Sequence, residues 1–259
     1  MAATGNRTDD TGAWVRRYHP ADDAAVRLVC FPHAGGSATF YRPMSAALSP
    51  AVDVLALQYP GRQDRRHTPG IEHLPDLADA VFEALLPWTD RPFAFFGHSM
   101  GAIVAFEVAL RLRSAARNGP VRLFASGRRA PSRWREGRVH LLDDAGIIAE
   151  LRGLSGSDPR ILGDEELLPM ILPALRADYR AIERYTCEPA ARVACPVTVL
   201  TGNADPQVDM DDACAWERHT DGGLTLRVFT GGHFFLTDHA AELLRLIRQD
   251  LVGTAAARR

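Results

Sequence analysis

The residues with the clearest chemical potential lie in one pentapeptide, Gly97-His98-Ser99-Met100-Gly101. In the pattern G-x-S-x-G, a serine between two glycines occupies a sharp turn that exposes its hydroxyl group. The apolar run FAFF leads directly into the pentapeptide, and the helix-forming segment AIVAFEVALRL follows it. A strand before the turn and a helix after it make this common pattern specific. We therefore predict that Ser99 is a nucleophile; a simple turn with an incidental serine is the alternative.

A serine hydroxyl group is a poor nucleophile until a base takes its proton. In enzymes with this turn, the chain order is serine, then acid, then histidine. Four of the nine histidines follow Ser99, namely His140, His219, His233 and His239. His233 has the best context, because it follows an apolar run and a Gly-Gly pair and precedes the final helical segment. We predict that His233 is the base, and the other three are its competitors.

The acid that orients the base is expected at the end of the preceding strand. The segment VTVLTGNAD puts Asp205 in the loop after an apolar run. Its carboxylate would hold the His233 tautomer and stabilise the imidazolium that forms during attack. Three nearby carboxylates compete for this role but lie further from the strand end and are expected to face solvent: Asp209, Asp211 and Asp212.

The negative charge that develops on an attacked carbonyl oxygen requires well-placed hydrogen-bond donors. The first apolar run ends in FPHAGGS, a glycine-containing loop in the position where such a donor is expected. We predict that the backbone N–H groups of Ala34 and Met100 form this oxyanion hole, with Gly35 and Gly36 allowing the backbone close to the substrate. A phosphate-binding loop is the alternative, but no G-x-G-x-x-G or Walker pattern accompanies it.

Apolar runs that alternate with helical segments would position these residues. The runs are nearly continuous in apolar character, which is typical of strands buried on both faces of a parallel sheet. They cover residues 26–31, 52–57, 93–96, 121–125, 197–200 and 224–229, with 14–18 as a further edge strand. The helical segments cover residues 37–48, 74–86, 100–113 and 240–252. This alternation predicts a doubly wound, mostly parallel α/β sheet.

One long segment breaks the alternation. About seventy residues separate the runs at 121–125 and 197–200, far more than an ordinary connection needs. Helix-like stretches at 141–154 and 165–185 lie within it. We predict a helical lid insertion over about residues 131–190, at the carboxyl ends of the strands where ligands bind. A helical extension elsewhere on the fold is the alternative.

Length and composition indicate one globular domain. The chain has 259 residues, 46% of them hydrophobic, and a net charge of −2. We predict a domain over residues 14–252, a disordered segment over 1–13 and a flexible tail over 253–259. The chain lacks a signal peptide, a membrane-length apolar stretch and a basic excess, so we expect a cytoplasmic protein without nucleic acid or membrane partners. The four cysteines lack metal-ligand spacing and are expected to be free thiols.

Five motifs together carry a resemblance to a known family. They are FPHAGGSA, LQYPGRQDR, FFGHSMGAIVAFEVA, LTGNADPQV and GGHFFL. In this combination the chain resembles the type II thioesterases, discrete α/β-hydrolases that work beside modular polyketide and nonribosomal peptide synthases. The resemblance covers about residues 27–251 and includes LLPMILPALRADYRAIERY, which is similar to the family's lid. After SGRRAP the chain continues with SRWREGR, where it departs from the family pattern.

The resemblance implies a reaction and a partner. Ser99, Asp205 and His233 match the family's catalytic triad, and Ala34 and Met100 match its oxyanion loop. The family hydrolyses acyl groups from the phosphopantetheine thiol of acyl and peptidyl carrier proteins through an acyl-serine, without metal or cofactor, and so clears stalled or misprimed modules. An esterase or acyltransferase on the same fold and a catalytically silent binding module are the alternatives.

Two further residue groups are predicted around this centre. Apolar residues of the lid are expected to line a channel for the pantetheine arm and a short acyl chain, or to pack the lid on the core: Met170, Ile171, Leu172, Leu175 and Tyr179. A basic run at the start of the lid is expected to contact an acidic carrier protein, or to be a solvated loop: Arg128, Arg129, Arg133, Arg135 and Arg138.

Overall fold

The computed structural model describes residues 11–154 and 168–257. Within these residues the strands are β1 (Val15–Arg16), β2 (Arg27–Phe31), β3 (Asp53–Leu57), β4 (Phe93–His98), β5 (Leu123–Ser126), β6 (Val197–Gly202) and β7 (Leu224–Phe229). They form one sheet in the order β1-β3-β2-β4-β5-β6-β7. Only β1 is antiparallel to its neighbour, so the predicted mostly parallel α/β sheet is confirmed.

The helices lie between the strands, as the alternating pattern predicts. In chain order they are α1 (Thr11–Trp14), α2 (Arg42–Leu48), α3 (Leu74–Leu85), α4 (Met100–Ser114), α5 (Asp144–Gly153), α6 (Leu168–Glu183), α7 (Met210–Cys214), α8 (Phe235–Asp238) and α9 (Ala240–Ala257). Across the described ranges, none of these helices combines the length and the apolar character that a membrane span requires.

Two apolar clusters sandwich the sheet. One cluster joins alternate residues of the central strands to α3 and α4, and the other joins the intervening residues to α2 and α9. Every residue of β2, β3, β4, β5 and β6 is buried. Burial on both faces explains why these strands appear in the sequence as continuous apolar runs. β7 is partly exposed because it lies at the edge of the sheet.

Several boundaries differ from the predicted ones. The predicted helix over 37–48 begins with the 3-10 turn Ala38–Tyr41 before α2. Residues 11–13, predicted to be disordered, form the first turn of α1, because Trp14 is only 6% exposed and its carbonyl accepts a 2.8 Å hydrogen bond from the Gln58 N–H. At the other end α9 continues to Ala257, since alanine strongly favours helix. The rest of the predicted N-terminal segment, residues 1–10, lies outside the described residues.

The long segment between β5 and β6 contributes α5 and α6. Leu172 and Leu175 of α6 pack against Ile147 and Leu151 of α5 in a small separate cluster. Further along α6, Ala181 and Ile182 are buried in the main cluster that also contains α3 and α4. The insertion is therefore attached through α6, and α5 packs on α6.

Candidate active site

Ser99 lies at the tight turn between β4 and α4. Its backbone has φ 53° and ψ −120°, which is strained for a residue with a side chain. The Ser99 N–H donates a 2.8 Å hydrogen bond to the carbonyl of Ser126 on β5. A Cβ atom at Gly97 would lie 2.3 Å from the Gly101 oxygen, and one at Gly101 would lie 2.1 Å from the Phe31 oxygen. Glycine is therefore required at both positions for this turn to close.

Asp205 and His233 meet at the carboxyl edge of the sheet. Asp205 follows β6 and His233 follows β7, and parallel neighbouring strands end at the same edge. The His233 Nδ1 atom lies 2.9 Å and 3.1 Å from the two carboxylate oxygens of Asp205. One of these oxygens also accepts a 2.8 Å hydrogen bond from the Gln207 N–H. The pair is buried, and its geometry leaves the His233 Nε2 atom available as a base.

The predicted oxyanion donors lie beside the same centre. Met100 is the first residue of α4, so its N–H is free of the hydrogen bonds within the helix and lies at the positive end of the helix dipole. Ala34 lies in the loop after β2, where Gly35 has φ 72° and the Gly36 N–H donates a 2.9 Å hydrogen bond to the His33 carbonyl. This turn positions the Ala34 backbone next to the tight turn at Ser99.

One cavity brings these residues together. It has a volume of about 320 Å³, and Ala34, Ser99, Met100 and His233 all line it. Asp205 lies behind His233. The arrangement has the parts that acyl transfer through a serine needs, namely a hydroxyl group on a strained turn, a histidine oriented by a buried carboxylate, and two backbone donors.

Known proteins share both the sequence and this arrangement of elements. A family model described as thioesterase domain matches residues 26–251. The chain is 56% identical over 253 residues to the probable cadicidin biosynthesis thioesterase of Streptomyces griseus, covering 96% of this chain and 70% of that protein. It is 49% identical over 249 residues to the thioesterase PikA5 of Streptomyces venezuelae, covering 96% and 89%. The type II thioesterase BorB of the borrelidin biosynthetic cluster superposes with a TM-score of 0.86 at 50% identity, covering 91% of this chain and 96% of BorB.

The chain belongs to the type II thioesterases. Type II thioesterases are α/β-hydrolases of polyketide and nonribosomal peptide biosynthesis, so the predicted family, fold and enzyme class are confirmed. The chain spans most of the length of each of these relatives.

The predicted channel residues are mostly not in the cavity of this thioesterase. Only Tyr179 of the five lines it. Met170 is 54% exposed, Ile171 packs at the edge of the α5–α6 cluster, and Leu172 and Leu175 lie within that cluster. The packing of Ile171, Leu172 and Leu175 against α5 agrees with the alternative that these residues pack the insertion, and a channel lined by them stays a prediction. Only the C-terminal half of α6 reaches the active-site cavity.

The five predicted docking arginines all line the cavity. Arg135 contacts Asp209 at 2.8 Å and Asp212 at 2.5 Å, and Arg138 contacts Glu136 at 2.7 Å. The competitor carboxylate Asp212 is therefore buried in an ion pair, in contrast to the predicted exposure to solvent. Arg133 is exposed, while Arg128 and Arg129 are half-buried.

The competing histidines have structural partners elsewhere. His219 is buried and its ring nitrogens contact the Ala191 carbonyl and the Ser132 hydroxyl, both at 2.8 Å. His140 contacts Glu183 at 2.5 Å, and His239 contacts Thr230 at 2.9 Å.

A buried ion pair that the sequence analysis missed connects α6 to the oxyanion loop. The Asp178 carboxylate accepts two 2.8 Å hydrogen bonds from the Arg62 guanidinium and one 2.8 Å bond from the Gly35 N–H. Arg62 also donates to the Gly36 carbonyl at 2.9 Å. Asp178 is 1% exposed and Arg62 5%. The available signal was that Asp178 lies three residues after Leu175, on the apolar face of a helix, where a charge requires a partner.

Two further histidines lie under the His233 ring. The His98 ring is 4.9 Å from that of His233, and its Nδ1 atom is 3.0 Å from the Ser126 hydroxyl oxygen. The His33 ring is 5.9 Å from that of His98. Burial lowers the pKa of His33 to about 3 and holds the pKa of His98 well below its usual range. Both rings are therefore neutral at pH 7, and His233 is the histidine of this group that is placed to take a proton.

This burial predicts how the stability of the thioesterase depends on pH. Because the folded-state pKa of His33 is lowered, the unfolded chain binds protons below about pH 6.5 that the folded chain does not bind, so the free energy of unfolding falls as the pH falls. His33 contributes a loss of about 1.4 kcal/mol between pH 7.5 and 5.5. We expect the variant His33→Gln to lose less stability than the wild type over this interval, as measured by urea denaturation.

The exposed His67 offers a matched control, because His67→Gln should keep the wild-type dependence on pH. An unchanged pH dependence in His33→Gln would contradict the assignment of a buried neutral ring.

Proposed function

We propose that this thioesterase hydrolyses acyl thioesters on the phosphopantetheine arm of acyl and peptidyl carrier proteins and thereby clears stalled or misprimed synthase modules. The observation that carries the proposal is the single cavity in which Ser99 and His233 meet the backbone of Ala34 and Met100. The discrete relatives named above, which come from antibiotic biosynthesis, support the same assignment.

The positions of these groups support the following reaction. His233 takes the proton of the Ser99 hydroxyl group, and the Ser99 oxygen attacks the thioester carbonyl carbon. The N–H groups of Ala34 and Met100 donate hydrogen bonds to the resulting oxyanion, while Asp205 stabilises the imidazolium. The carbon–sulfur bond then breaks, and the thiol leaves with the proton that His233 returns.

The second half of the reaction repeats these steps with water. His233 takes a proton from a water molecule, and the hydroxide attacks the carbonyl carbon of the acyl-Ser99 ester. The ester bond breaks, Ser99 regains its proton from His233, and a carboxylic acid leaves. No redox step is involved in the proposed reaction.

The insertion between β5 and β6 is proposed to act as the lid of this cavity. Residues from both of its helices support this role, because Glu150 of α5 and Tyr179 and Ile182 of α6 line the cavity wall. Carrier contact is proposed for the exposed Arg133 at the cavity rim, since Arg135 and Arg138 already have carboxylate partners.

A panel of matched substrates tests the proposed function. One short acyl group would be presented as a thioester on a carrier protein, as a thioester on N-acetylcysteamine, and as the corresponding oxygen ester. We expect kcat/KM to be highest for the carrier-bound thioester, by about tenfold or more over the small thioester, because the carrier adds contacts and electrostatic steering. Preferential turnover of the oxygen ester would instead support the esterase alternative, and failure to hydrolyse any of the three would support a silent binding module.

A further inference from the structure

Two arginines in the wall of the active-site cavity have polar atoms without partners. Arg128 and Arg129 come directly after Gly127, at the end of β5, and both line the cavity with Ser99. The Arg128 Nε atom and the Arg129 Nη1 atom are buried and lack a hydrogen-bond partner among the residues that the structure describes. Buried unsatisfied donors are costly, so each requires an explanation.

The surroundings do not neutralise this pair. Burial, and after it the neighbouring charge of Arg129, lowers the pKa of Arg128 to about 9. Burial also lowers the pKa of Arg129, followed by the effect of Arg135. Burial thus disfavours the charged form of both guanidinium groups. Such groups are typical of a site that an external anion completes.

The nearest carboxylates are already engaged. Glu183 accepts hydrogen bonds from the N–H groups of Val139 and His140 and contacts the His140 ring. Asp212 is held by Arg135, and Asp205 by His233. Arg129 has a 3.4 Å contact from its Nη2 atom to the Gln207 side-chain oxygen, and Gln207 in turn donates to Glu150 at 3.4 Å. These contacts leave the Arg128 Nε and Arg129 Nη1 atoms unused.

The backbone holds the pair close to the reacting groups. The Arg128 carbonyl accepts a 2.8 Å hydrogen bond from the indole N–H of the buried Trp216. A Cβ atom at Gly127 would lie 2.6 Å from the His98 ring and 3.4 Å from the His233 ring, so the segment passes close to both histidines. The arginines are therefore on a fixed strand end, next to the position of the thioester.

We propose that Arg128 and Arg129 bind an anionic oxygen group of the thioester substrate. The inference rests on the proposed function and specifies its substrate class. Two parts of such a substrate carry the required chemistry: a carboxylate on the acyl group, as in malonyl thioesters, and the phosphate of the phosphopantetheine arm. Guanidinium groups bind both through paired charge-assisted hydrogen bonds. The position of the pair beside His233 favours the carboxylate, because the phosphate lies at the far end of the arm from the reacting bond.

Four substrates separate the two sources. Malonyl and butyryl groups would each be attached to N-acetylcysteamine, which lacks a phosphate, and to free phosphopantetheine, which has one. For a carboxylate site, Arg128→Met and Arg129→Met should lower kcat/KM about tenfold or more for both malonyl substrates and change both butyryl substrates less than about twofold. For a phosphate site, the loss should follow the phosphopantetheine substrates instead. Arg117→Met, an exposed substitution in the loop after α4, is the control.

An equal loss on all four substrates, or no loss on any, would overturn the proposal. Failure of the wild type to hydrolyse any of the four would instead refute the proposed function, so the two failures are distinguishable. Thermal unfolding provides a second readout: malonate or inorganic phosphate should raise the Tm of the wild type but not that of Arg128→Met. If the arginines were only structural, Arg128→Met would lower the Tm, whereas removal of a side chain with an unpartnered buried nitrogen should preserve or raise it.

Discussion

Replacement of Ser99 by alanine is expected to reduce kcat for acyl thioester hydrolysis by about 10⁴-fold or more. The substitution removes the oxygen that attacks the carbonyl carbon, and no neighbouring group is placed to replace it in forming an acyl-enzyme. Residual hydrolysis would come from binding and from the donors at Ala34 and Met100, which remain. The measurement is the steady-state release of thiol from an acyl N-acetylcysteamine thioester.

The fold should survive this change, because the strained backbone at φ 53° accommodates an alanine as well as a serine. The free energy of unfolding should therefore match that of Ser114→Ala, an exposed serine substitution at the end of α4 that keeps full activity. Labelling by a fluorophosphonate should disappear in Ser99→Ala and persist in Ser114→Ala. Retained turnover in Ser99→Ala would refute the assignment of the nucleophile.

The other triad members provide a test of cooperation. Asp205→Asn and His233→Gln should each cause a large loss of kcat. Combining either of them with Ser99→Ala should lower kcat no further than Ser99→Ala alone, because the groups act as a unit. Additive losses would indicate that the three residues act independently, contrary to the proposed mechanism.

The largest expected effect on stability comes from Arg62. The variant Arg62→Met keeps the length of the side chain but leaves the Asp178 carboxylate buried with the Gly35 N–H as its remaining partner. Removal of one member of a buried ion pair typically costs about 3–5 kcal/mol. We expect a loss of this size in the free energy of unfolding, measured by urea denaturation at pH 7.5.

The Arg180–Glu72 pair supplies the matched control. It also joins α6 to another part of the chain, but both of its side chains are partly exposed. Arg180→Met should change the free energy of unfolding by no more than about 1 kcal/mol. In the double variant Arg62→Met/Asp178→Leu, much of the lost stability should return, since no uncompensated charge remains. A cost of less than about 1 kcal/mol for Arg62→Met would show that the buried pair does not hold α6 in place.

The double variant also separates stability from catalysis. It should remain folded yet lose about tenfold in kcat, because the Gly35 N–H no longer has the carboxylate that fixes the loop containing Ala34. A stable double variant with wild-type kcat would mean that the loop holds its position without α6.

The parts of the site that the sequence could predict share one property. Ser99 follows a strand directly, and Ala34, Asp205 and His233 lie in the loops just after the ends of three other strands. A parallel sheet collects such positions at one edge. Apolar runs therefore located them without knowledge of long-range contacts. Met100 could be predicted in the same way, because it is the residue after the nucleophile in the G-x-S-x-G turn.

The remaining features depend on tertiary contacts. Arg62 and Asp178 are 116 residues apart in the chain, and only the docking of α6 brings them together. Because α6 packs on α5, Leu172 lies in the cluster between the two helices, whereas Tyr179 lines the cavity. The path of the chain after β5 likewise turned a basic run that was expected at the surface into part of the cavity wall.

The Asp178 carboxylate joins α6 to the loop after β2 through the Gly35 N–H and to Arg62 through the buried ion pair. If the proposed lid opens by a displacement of α6, this carboxylate would leave Arg62 and the loop that contains Ala34 together. The open enzyme would then lack a positioned Ala34 donor, and closure would restore it. One buried carboxylate would thus act as an interlock, so that a thioester is cleaved only after the entrance has shut behind it.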